Sequence, residues 1–260
     1  MLADIIRLDL RLRRRSTIGY AAGMAIYALV VVALYPSFKN QTSLDSLSGS
    51  TAAALFGVTG KLTSSGGWLN ANIYSNFFPL IMLALTIGYG ATSLAGQDES
   101  GTLALVVALP MRRRAILFQK LFAMAIQALV LAAATTVCAV IGQGFQLTVP
   151  TGDLSAIALA LMLMGLDFGL VSMAIGAATG RRGTALGIAS ALAAASYLIS
   201  TLATTIPRIG PGRYLSLFYW SVGNDQIAKG VSLADFIVLV IVGFCALLTA
   251  LIAFRRADLN

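Results

Sequence analysis

Few residues in this sequence could do chemistry, and their types exclude most enzyme mechanisms. The chain has no histidine, which is the side chain that most zinc sites and most serine or cysteine hydrolases depend on. One acid, Asp167, lies near the middle of a long apolar run. The apolar runs offer it neither an acid pair nor a Ser–Lys dyad as a catalytic partner. We therefore expect no catalytic residues and no metal site.

Asp167 is the first candidate for a functional polar group. An unpaired charge inside a membrane helix costs roughly a few kcal/mol or more, so the carboxyl must be protonated, paired or facing a cavity. It could be a cation or proton site on a transport path. It could equally be a neutral acid that hydrogen-bonds to a neighbouring helix or to a second subunit. The candidate partners or cavity groups are Gln119, Gln127, Thr135 and Thr136, and we take Asp167 with Gln127 as the candidate intramembrane site.

A second informative stretch is the segment 97–120, QDESGTLALVVALPMRRRAILFQK. Its first residues, Asp98–Gly101, favour the start of a short helix because acids and serine stabilise helix N-termini. Leu103–Leu109 is apolar but too short to span a bilayer, Pro110 ends it, and Arg112–Arg114 can anchor the next helix at lipid headgroups. A short apolar helix at a membrane face needs a cover, either its own bundle or a partner protein.

The composition indicates that these residues are positioned by membrane helices. Of 260 residues, 58% are hydrophobic and 11% charged, and the mean hydropathy is +0.86, whereas soluble domains have about 25% charged residues. Only helices and closed barrels satisfy their backbone in lipid, and long unbroken apolar runs favour helices over the alternating pattern of a barrel. The formal net charge of +8 resides at the ends of these runs, which indicates anionic lipid rather than nucleic acid as the partner.

The predicted fold is therefore an all-α integral membrane protein with a single transmembrane domain over residues 1–260. Segment 2–15 has an amphipathic pattern that only Asp9 and Arg13 break, which predicts an interfacial helix before the chain turns into the membrane. A candidate coupling segment occupies 97–115. Six spans of sufficient length follow the interfacial helix: 17–35, 74–95, 116–143, 154–179, 184–206 and 234–254.

The distribution of Lys and Arg predicts the orientation. With the N-terminus inside, the inside segments carry 13 of these residues and the outside segments carry 5, so both termini are expected in the cytoplasm. The last outside segment, 207–233, is rich in aromatic residues. It is either a re-entrant segment that dips into the membrane or an ordinary interfacial belt of aromatic side chains.

Several motifs in this arrangement resemble ABC-2 type permeases, and the resemblance covers essentially the whole chain. One of them, the re-entrant-segment motif given below, departs from the family at Leu217, where family members often have a proline. Residues 254–259 also resemble the usual C-terminal sequence of the family. The cytoplasmic-loop motif consists of Glu99, Gly101, Thr102, Leu103, Pro110, Arg112, Arg113 and Lys120. The re-entrant-segment motif consists of Tyr214, Leu215, Ser216, Phe218, Tyr219, Gly223, Asn224, Asp225 and Gly230.

The resemblance implies an exporter that works as a pair of six-span halves, identical or homologous, in the plasma membrane of a prokaryote. It would move a hydrophobic or amphipathic substrate, as in multidrug efflux, and segment 2–15 would be the elbow helix. ATP and magnesium would belong to a separate ABC ATPase (nucleotide-binding) subunit, with no cofactor and no enzyme activity in this chain. The ATPase contact would be made by Glu99, Gly101, Thr102, Leu105 and Pro110.

The residues themselves agree with a separate ATPase and leave alternatives open. A phosphate-binding loop needs the pattern GxxxxGK[ST], and the nearest candidate, Gly60-Lys61, has Leu55 and Leu62 at two required positions. The main alternative is a secondary transporter or channel driven by ions through Asp167, although such carriers usually bury several ionisable groups. An intramembrane enzyme is the other alternative, and the residue types disfavour it.

Overall fold

The computed structural model describes residues 4–41, 43, 61–102, 112–224 and 226–256. In these ranges the regular secondary structure is helical, and six helices are long and apolar enough to cross a membrane. This confirms the predicted fold class, and each helix overlaps one predicted span. The helices are α1 (Asp4–Phe38), α2 (Ser65–Glu99), α3 (Arg113–Ile141), α4 (Thr151–Thr179), α5 (Arg182–Thr205) and α6 (Leu233–Arg256).

Helix α1 differs from the sequence expectation, because the turn expected after residue 15 is absent. The interfacial segment and the first span form one uninterrupted helix of 35 residues. The residues around the expected turn contain neither glycine nor proline to break a helix. The hydroxyl of Thr17 donates a hydrogen bond to Oε1 of Gln127 at 3.1 Å, so this part of α1 is held directly against α3.

Helix α2 extends further at both ends than the apolar run 74–95. It includes π-helical turns at Asn70–Phe77 and Thr92–Gly96, and its last turn is Gln97–Glu99. The acids expected to start a new helix therefore lie at the end of α2 instead. Gly101 then adopts a left-handed φ of +70°, a conformation that glycine accepts without steric cost and that commonly follows a helix C-terminus.

Helices α4 and α5 form the tight hairpin that the short connection predicts. Gly180 closes α4 with a left-handed φ of +63°, and its N–H donates to the carbonyl of Gly176 at 2.9 Å. The start of α6 has a capping box. The Ser232 N–H donates to Asp235 Oδ2 at 2.9 Å, and the Asp235 N–H donates to Ser232 Oγ at 3.2 Å.

The centre of the bundle is made by α2 and α4. Helix α4 packs against α2, α3, α5 and α6, while α1 packs mainly against α3. In the most apolar stretch of α2 and of α4, 67% of the residues are buried. The corresponding share is 28% in α1, 28% in α5 and 17% in α6. The faces left open on α1, α5 and α6 are thus available to lipid or to another protein.

Glycines explain how closely α2 and α4 approach each other. A Cβ on Gly90 would collide with the carbonyl oxygen of Gly169, and a Cβ on Gly165 would lie 2.5 Å from the side chain of Met82. Small residues at this spacing allow membrane helices to pack tightly. Other glycines with the same spacing have no described atom within 4 Å of a Cβ position. These are Gly19 and Gly23 on α1 and Gly183 and Gly187 on α5.

The segment between α5 and α6 folds back into the bundle. It contains a 3₁₀ helix at Pro207–Leu215, a π turn at Tyr219–Gly223 and a short helix at Gln226–Lys229. The hydroxyl of Ser221 lies 3.1 Å from Sδ of Met164, which is near the midpoint of the 29-residue helix α4. A purely interfacial segment would not reach this depth, so the re-entrant interpretation is favoured over the aromatic belt.

Candidate functional site

The chain connectivity brings most basic residues to one end of the bundle. We call this the basic end: it is where α1, α3 and α5 begin and where α2, α4 and α6 end. The loop that contains the candidate coupling segment leaves from this end and returns to it. The candidate site is built from the side chains that surround the two ends of that loop.

A buried ion pair joins three helices at the basic end. Lys120 on α3 is fully buried, and its Nζ lies 3.6 Å from Oδ2 of Asp9 on α1. The same Nζ donates a hydrogen bond of 2.9 Å to Oε1 of Gln97 on α2. The hydroxyl of Tyr89, also on α2, donates to Oδ2 of Asp9 at 2.5 Å. Since each charged group is partnered, the cluster can be buried without an isolated charge.

Arg13 extends this cluster toward the surface. Its guanidinium donates a hydrogen bond to the hydroxyl of Thr92 and lies over the ring of Tyr89, with 4.7 Å between the guanidinium carbon and the ring centroid. About two turns earlier on α1, the N–H of Ile5 donates to Oε1 of Gln119 at 3.3 Å. The first three turns of α1 are thus attached to both α2 and α3.

Sequence reasoning did not assign Asp9, Arg13 or Tyr89 to a site, although a signal was present. Asp9 and Arg13 are the two residues that break the amphipathic pattern of segment 2–15. Asp9 is only 6% exposed, because it points toward α2 and α3 instead of toward headgroups. A polar residue on the apolar face of an amphipathic helix is therefore worth testing as one half of a buried pair.

Both flanks of the coupling loop are bonded to other helices. Before the loop, Oε1 of Glu99 accepts a hydrogen bond of 2.8 Å from the N–H of Arg182, the first residue of α5. After the loop, the Arg113 guanidinium donates to the carbonyls of Phe254 and Arg255 on α6, at 3.1 and 3.3 Å. With the Lys120 cluster, these bonds connect the loop ends to α1, α5 and α6.

The residues predicted to contact the ATPase are only partly described. Glu99, Gly101 and Thr102 are exposed at the basic end, and Thr102 Oγ1 donates to the carbonyl of Gln97 at 3.2 Å. Leu105 and Pro110, with the rest of residues 103–111, lie outside the described residues. The assignment of these five positions to a partner contact stays a prediction.

The structure does not join Asp167 to Gln127. Asp167 on α4 is 3% exposed, and its Oδ2 has no hydrogen-bond partner among the described residues. Gln127 instead accepts from Thr17 and donates to the carbonyl of Ala123 at 3.1 Å. Gly243 of α6 packs against the carboxyl of Asp167, because a Cβ at this position would lie 2.5 Å from Oδ1. The absence of a side chain at this position lets α6 cover the acid.

Two other predicted partners of Asp167 are also engaged elsewhere. The hydroxyls of Thr135 and Thr136 donate to the carbonyls of Leu131 and Ala132 in their own helix, each at 2.9 Å. Gln119 faces Ile5 at the basic end. The role of Asp167 therefore stays open between a transport site and a structural acid.

A large apolar groove runs between α2 and α5. Its volume is about 770 Å³, within the range of small-molecule sites, roughly 300–1,000 Å³. Polar groups enter it only at a few points, including Ser75, Asn76 and Ser190. Its apolar lining includes Pro79, Leu83, Ile87, Leu186, Ala193 and Leu198.

Six membrane-length helices, an apolar groove along two of them and a bonded loop at the basic end define a polytopic helical membrane protein of the transport class. Residues 3–259 match the family model described as ABC-2 family transporter protein, and the chain belongs to this family. The resemblance seen in the sequence is thereby confirmed. No individually curated protein matches the sequence. As a family member, the chain is a membrane-spanning component of an ABC transporter.

Proposed function

We propose that the chain is the permease subunit of an ABC exporter that moves a hydrophobic or amphipathic substrate outward. A separate nucleotide-binding subunit would bind ATP and magnesium and would dock on residues 97–115 at the basic end. The membrane would be the plasma membrane of a prokaryote, with both termini in the cytoplasm. The excess of Lys and Arg at the basic end supports this orientation.

The observation that carries the proposal is the set of bonds at the two flanks of the loop. Glu99 contacts the first residue of α5, and Arg113 contacts the last turn of α6. Lys120 contacts Asp9 of α1. A subunit that pulled on the loop would therefore act on three helices through short polar contacts, which is the arrangement needed to convert a docking event into helix movement.

The substrate class is supported by the groove between α2 and α5. Its walls are mostly aliphatic with a few hydroxyl and amide groups, so it suits an apolar or amphipathic molecule better than a hydrophilic ion.

A second permease half is supported by the open faces of α1 and α5. Both carry glycine pairs at four-residue spacing, Gly19 with Gly23 and Gly183 with Gly187. None of the four has a described atom within 4 Å of its Cβ position. Such pairs allow another helix to approach closely.

Co-expression with the neighbouring genes, followed by co-purification of any ABC ATPase, tests the docking proposal. We expect Leu105→Asp to abolish association of the ATPase, because a charge introduced into an apolar docking segment must be desolvated on binding. Leu215→Asp is the matched control: Leu215 is 83% exposed at the opposite end of the bundle, and this variant should retain full association. Equal recovery of the ATPase with both variants would contradict the proposed contact, as would the absence of any P-loop protein from the wild-type complex.

Glu99 allows a finer test of the same contact. Glu99→Gln keeps an oxygen that can accept from the Arg182 N–H, whereas Glu99→Ala leaves that N–H without its partner. We expect Glu99→Ala to insert into the membrane normally but to lose ATPase stimulation by substrate, and Glu99→Gln to retain more of it. Identical behaviour of the two variants would show that the bond to α5 does not matter for coupling.

An ion-coupled secondary transporter is the second candidate, because Asp167 is buried and its Oδ2 has no hydrogen-bond partner in the part of the chain that the structure describes. Transport in ATP-depleted vesicles separates the two functions. Transport that persists without ATP and disappears with Asp167→Asn would establish ion coupling. Loss of transport on ATP depletion, with Asp167→Asn still active when ATP is supplied, would support the ABC exporter.

A further inference from the structure

Two small cavities adjoin each other at the basic end between α1 and α2. Their volumes are about 210 and 200 Å³, and both are lined by Arg13, Thr92 and Arg182. We call the combined space the basic cleft. The hydroxyl-bearing residues Ser16, Thr17 and Tyr20 of α1 line its second part. The cleft is therefore walled by two guanidinium groups and several hydroxyl groups.

The basic cleft has an excess of positive charge. Asp9 is the acid among its lining residues, and the buried Lys120 already lies 3.6 Å from that carboxylate. Arg13 also interacts electrostatically with Asp9. The three cations Lys120, Arg13 and Arg182 nevertheless outnumber this one carboxylate, so the cleft and its buried ion pair carry a net positive charge. A guanidinium has five N–H donors and matches phosphate oxygens in a bidentate geometry.

Two further acids lie nearby but outside the lining. Glu99 accepts from the backbone N–H of Arg182, and Oδ2 of Asp98 lies beside the turn between α4 and α5, 3.1 Å from a Cβ position on Gly180. Neither forms an ion pair with Arg182 within the described residues.

The basic cleft continues into the apolar groove. Ala84 and Gly88 line both the cleft and the groove, and Gly88 has open space at its Cβ position. On the facing helix, Leu186 lines the groove one turn after Arg182. From Leu186 to Leu198 the groove follows α5 for about 18 Å at the rise of a helix. Half of a bilayer's hydrocarbon core is about 15 Å, so the groove matches one leaflet's acyl chains.

We propose that the basic cleft and the groove together bind one anionic phospholipid from the leaflet at the basic end. Its phosphate sits between the guanidinium groups of Arg13 and Arg182, and its acyl chains lie along α2 and α5. Basic pockets between membrane helices are suited to lipid phosphates, and here the charge and the apolar groove meet at Gly88. This inference does not depend on the ATPase contact and can be tested on the purified chain alone.

Native mass spectrometry of the purified chain with added phosphatidylglycerol measures the binding directly. The test variant is Arg13→Gln/Arg182→Gln. The matched control is Arg14→Gln/Arg181→Gln, which removes the same charge from neighbouring exposed positions outside the cleft. Each cleft arginine should contribute about fivefold in affinity, the value for a basic residue at a membrane surface. The double test variant should therefore lose roughly 25-fold, and the control should bind like the wild type.

Single variants keep the proposal testable if the double variant does not fold. Arg182→Gln changes an exposed side chain and should still lose about fivefold. Gly88→Leu fills the junction between cleft and groove, and it should lower lipid binding without removing any charge. Equal phosphatidylglycerol binding by these variants and by the control would overturn the proposal.

Two other results would also overturn it. Competition by inorganic phosphate at concentrations equal to those of the lipid would show that only an anion binds and that the groove plays no part. The second such result is a lipid-free dimer that persists in the spectrometer and does not bind added phosphatidylglycerol. It would show that a second copy of the chain covers the groove. A wild-type complex with one retained phosphatidylglycerol, resistant to inorganic phosphate, supports the proposal.

Discussion

Replacing Lys120 with methionine is the sharpest test of how the basic end is held together. The substitution keeps most of the side-chain volume but removes the Nζ contacts to Asp9 and Gln97, at 3.6 and 2.9 Å. Asp9 would stay buried with the Tyr89 hydroxyl as its partner. Removal of one partner from a buried ion pair typically costs about 3–5 kcal/mol, so we expect the free energy of unfolding to fall by that amount.

The double variant Asp9→Asn/Lys120→Met completes a thermodynamic cycle. With both charges gone, no isolated charge remains buried, and we expect the double variant to be more stable than the sum of the single variants predicts, by about 1.5–3 kcal/mol. Unfolding by sodium dodecyl sulfate in mixed micelles, followed by tryptophan fluorescence, provides the measurement. Lys61→Met is the control, since Lys61 is exposed at the opposite end and its loss should change stability by less than about 0.5 kcal/mol.

Additive effects of the two single substitutions would refute the ion pair as a coupled unit. A loss below about 1 kcal/mol for Lys120→Met would have the same meaning, because Lys120 would then reach water or headgroups in the membrane. If the cycle behaves as expected, the variants can also be assayed for substrate-stimulated ATPase activity with the partner subunit, which links stability at the basic end to coupling.

Two further predictions concern the packing of α4. Gly90→Ala places a Cβ against the carbonyl oxygen of Gly169 and should destabilise the protein by about 1–3 kcal/mol through overpacking; Gly88→Ala, with open space around it, should be within about 0.5 kcal/mol of the wild type in the same unfolding assay. Gly243→Ala should likewise be destabilising, because it crowds the Asp167 carboxyl, and Asp167→Ala in the same chain should restore much of the loss. Failure of that rescue would show that α6 does not press on Asp167.

The number and approximate positions of the six spans follow from hydropathy alone, because each apolar run must be buried in lipid or protein whatever its neighbours are. Whether α1 turns near residue 15 does not follow from hydropathy. The change from charged to apolar sequence near residue 15 suggested a turn, but a helix can continue through a change of environment when no residue breaks it. The absence of Gly and Pro from residues 4–18, around the expected turn, was the better indicator.

The polar contacts were harder to predict because they join residues far apart in the sequence. The sequence predicted that Glu99 starts a new helix, but Glu99 lies at the end of α2. Its carboxylate instead accepts from the first N–H of α5, 83 residues away. Lys120 appeared in the family motif as a basic residue near the membrane surface, whereas the structure buries it against Asp9. Local patterns identify which residues need partners, and only the packing of the helices decides which partners they find.

The unbroken form of α1 has a mechanical consequence. Its 35 residues make a rod about 52 Å long, while a bilayer with its headgroups is about 40–45 Å thick. A helix of this length must tilt from the membrane normal or project beyond the membrane. Because it has no hinge near residue 15, a sideways push at Asp9 swings its far end, near Tyr35, in the opposite direction about a fulcrum inside the bilayer.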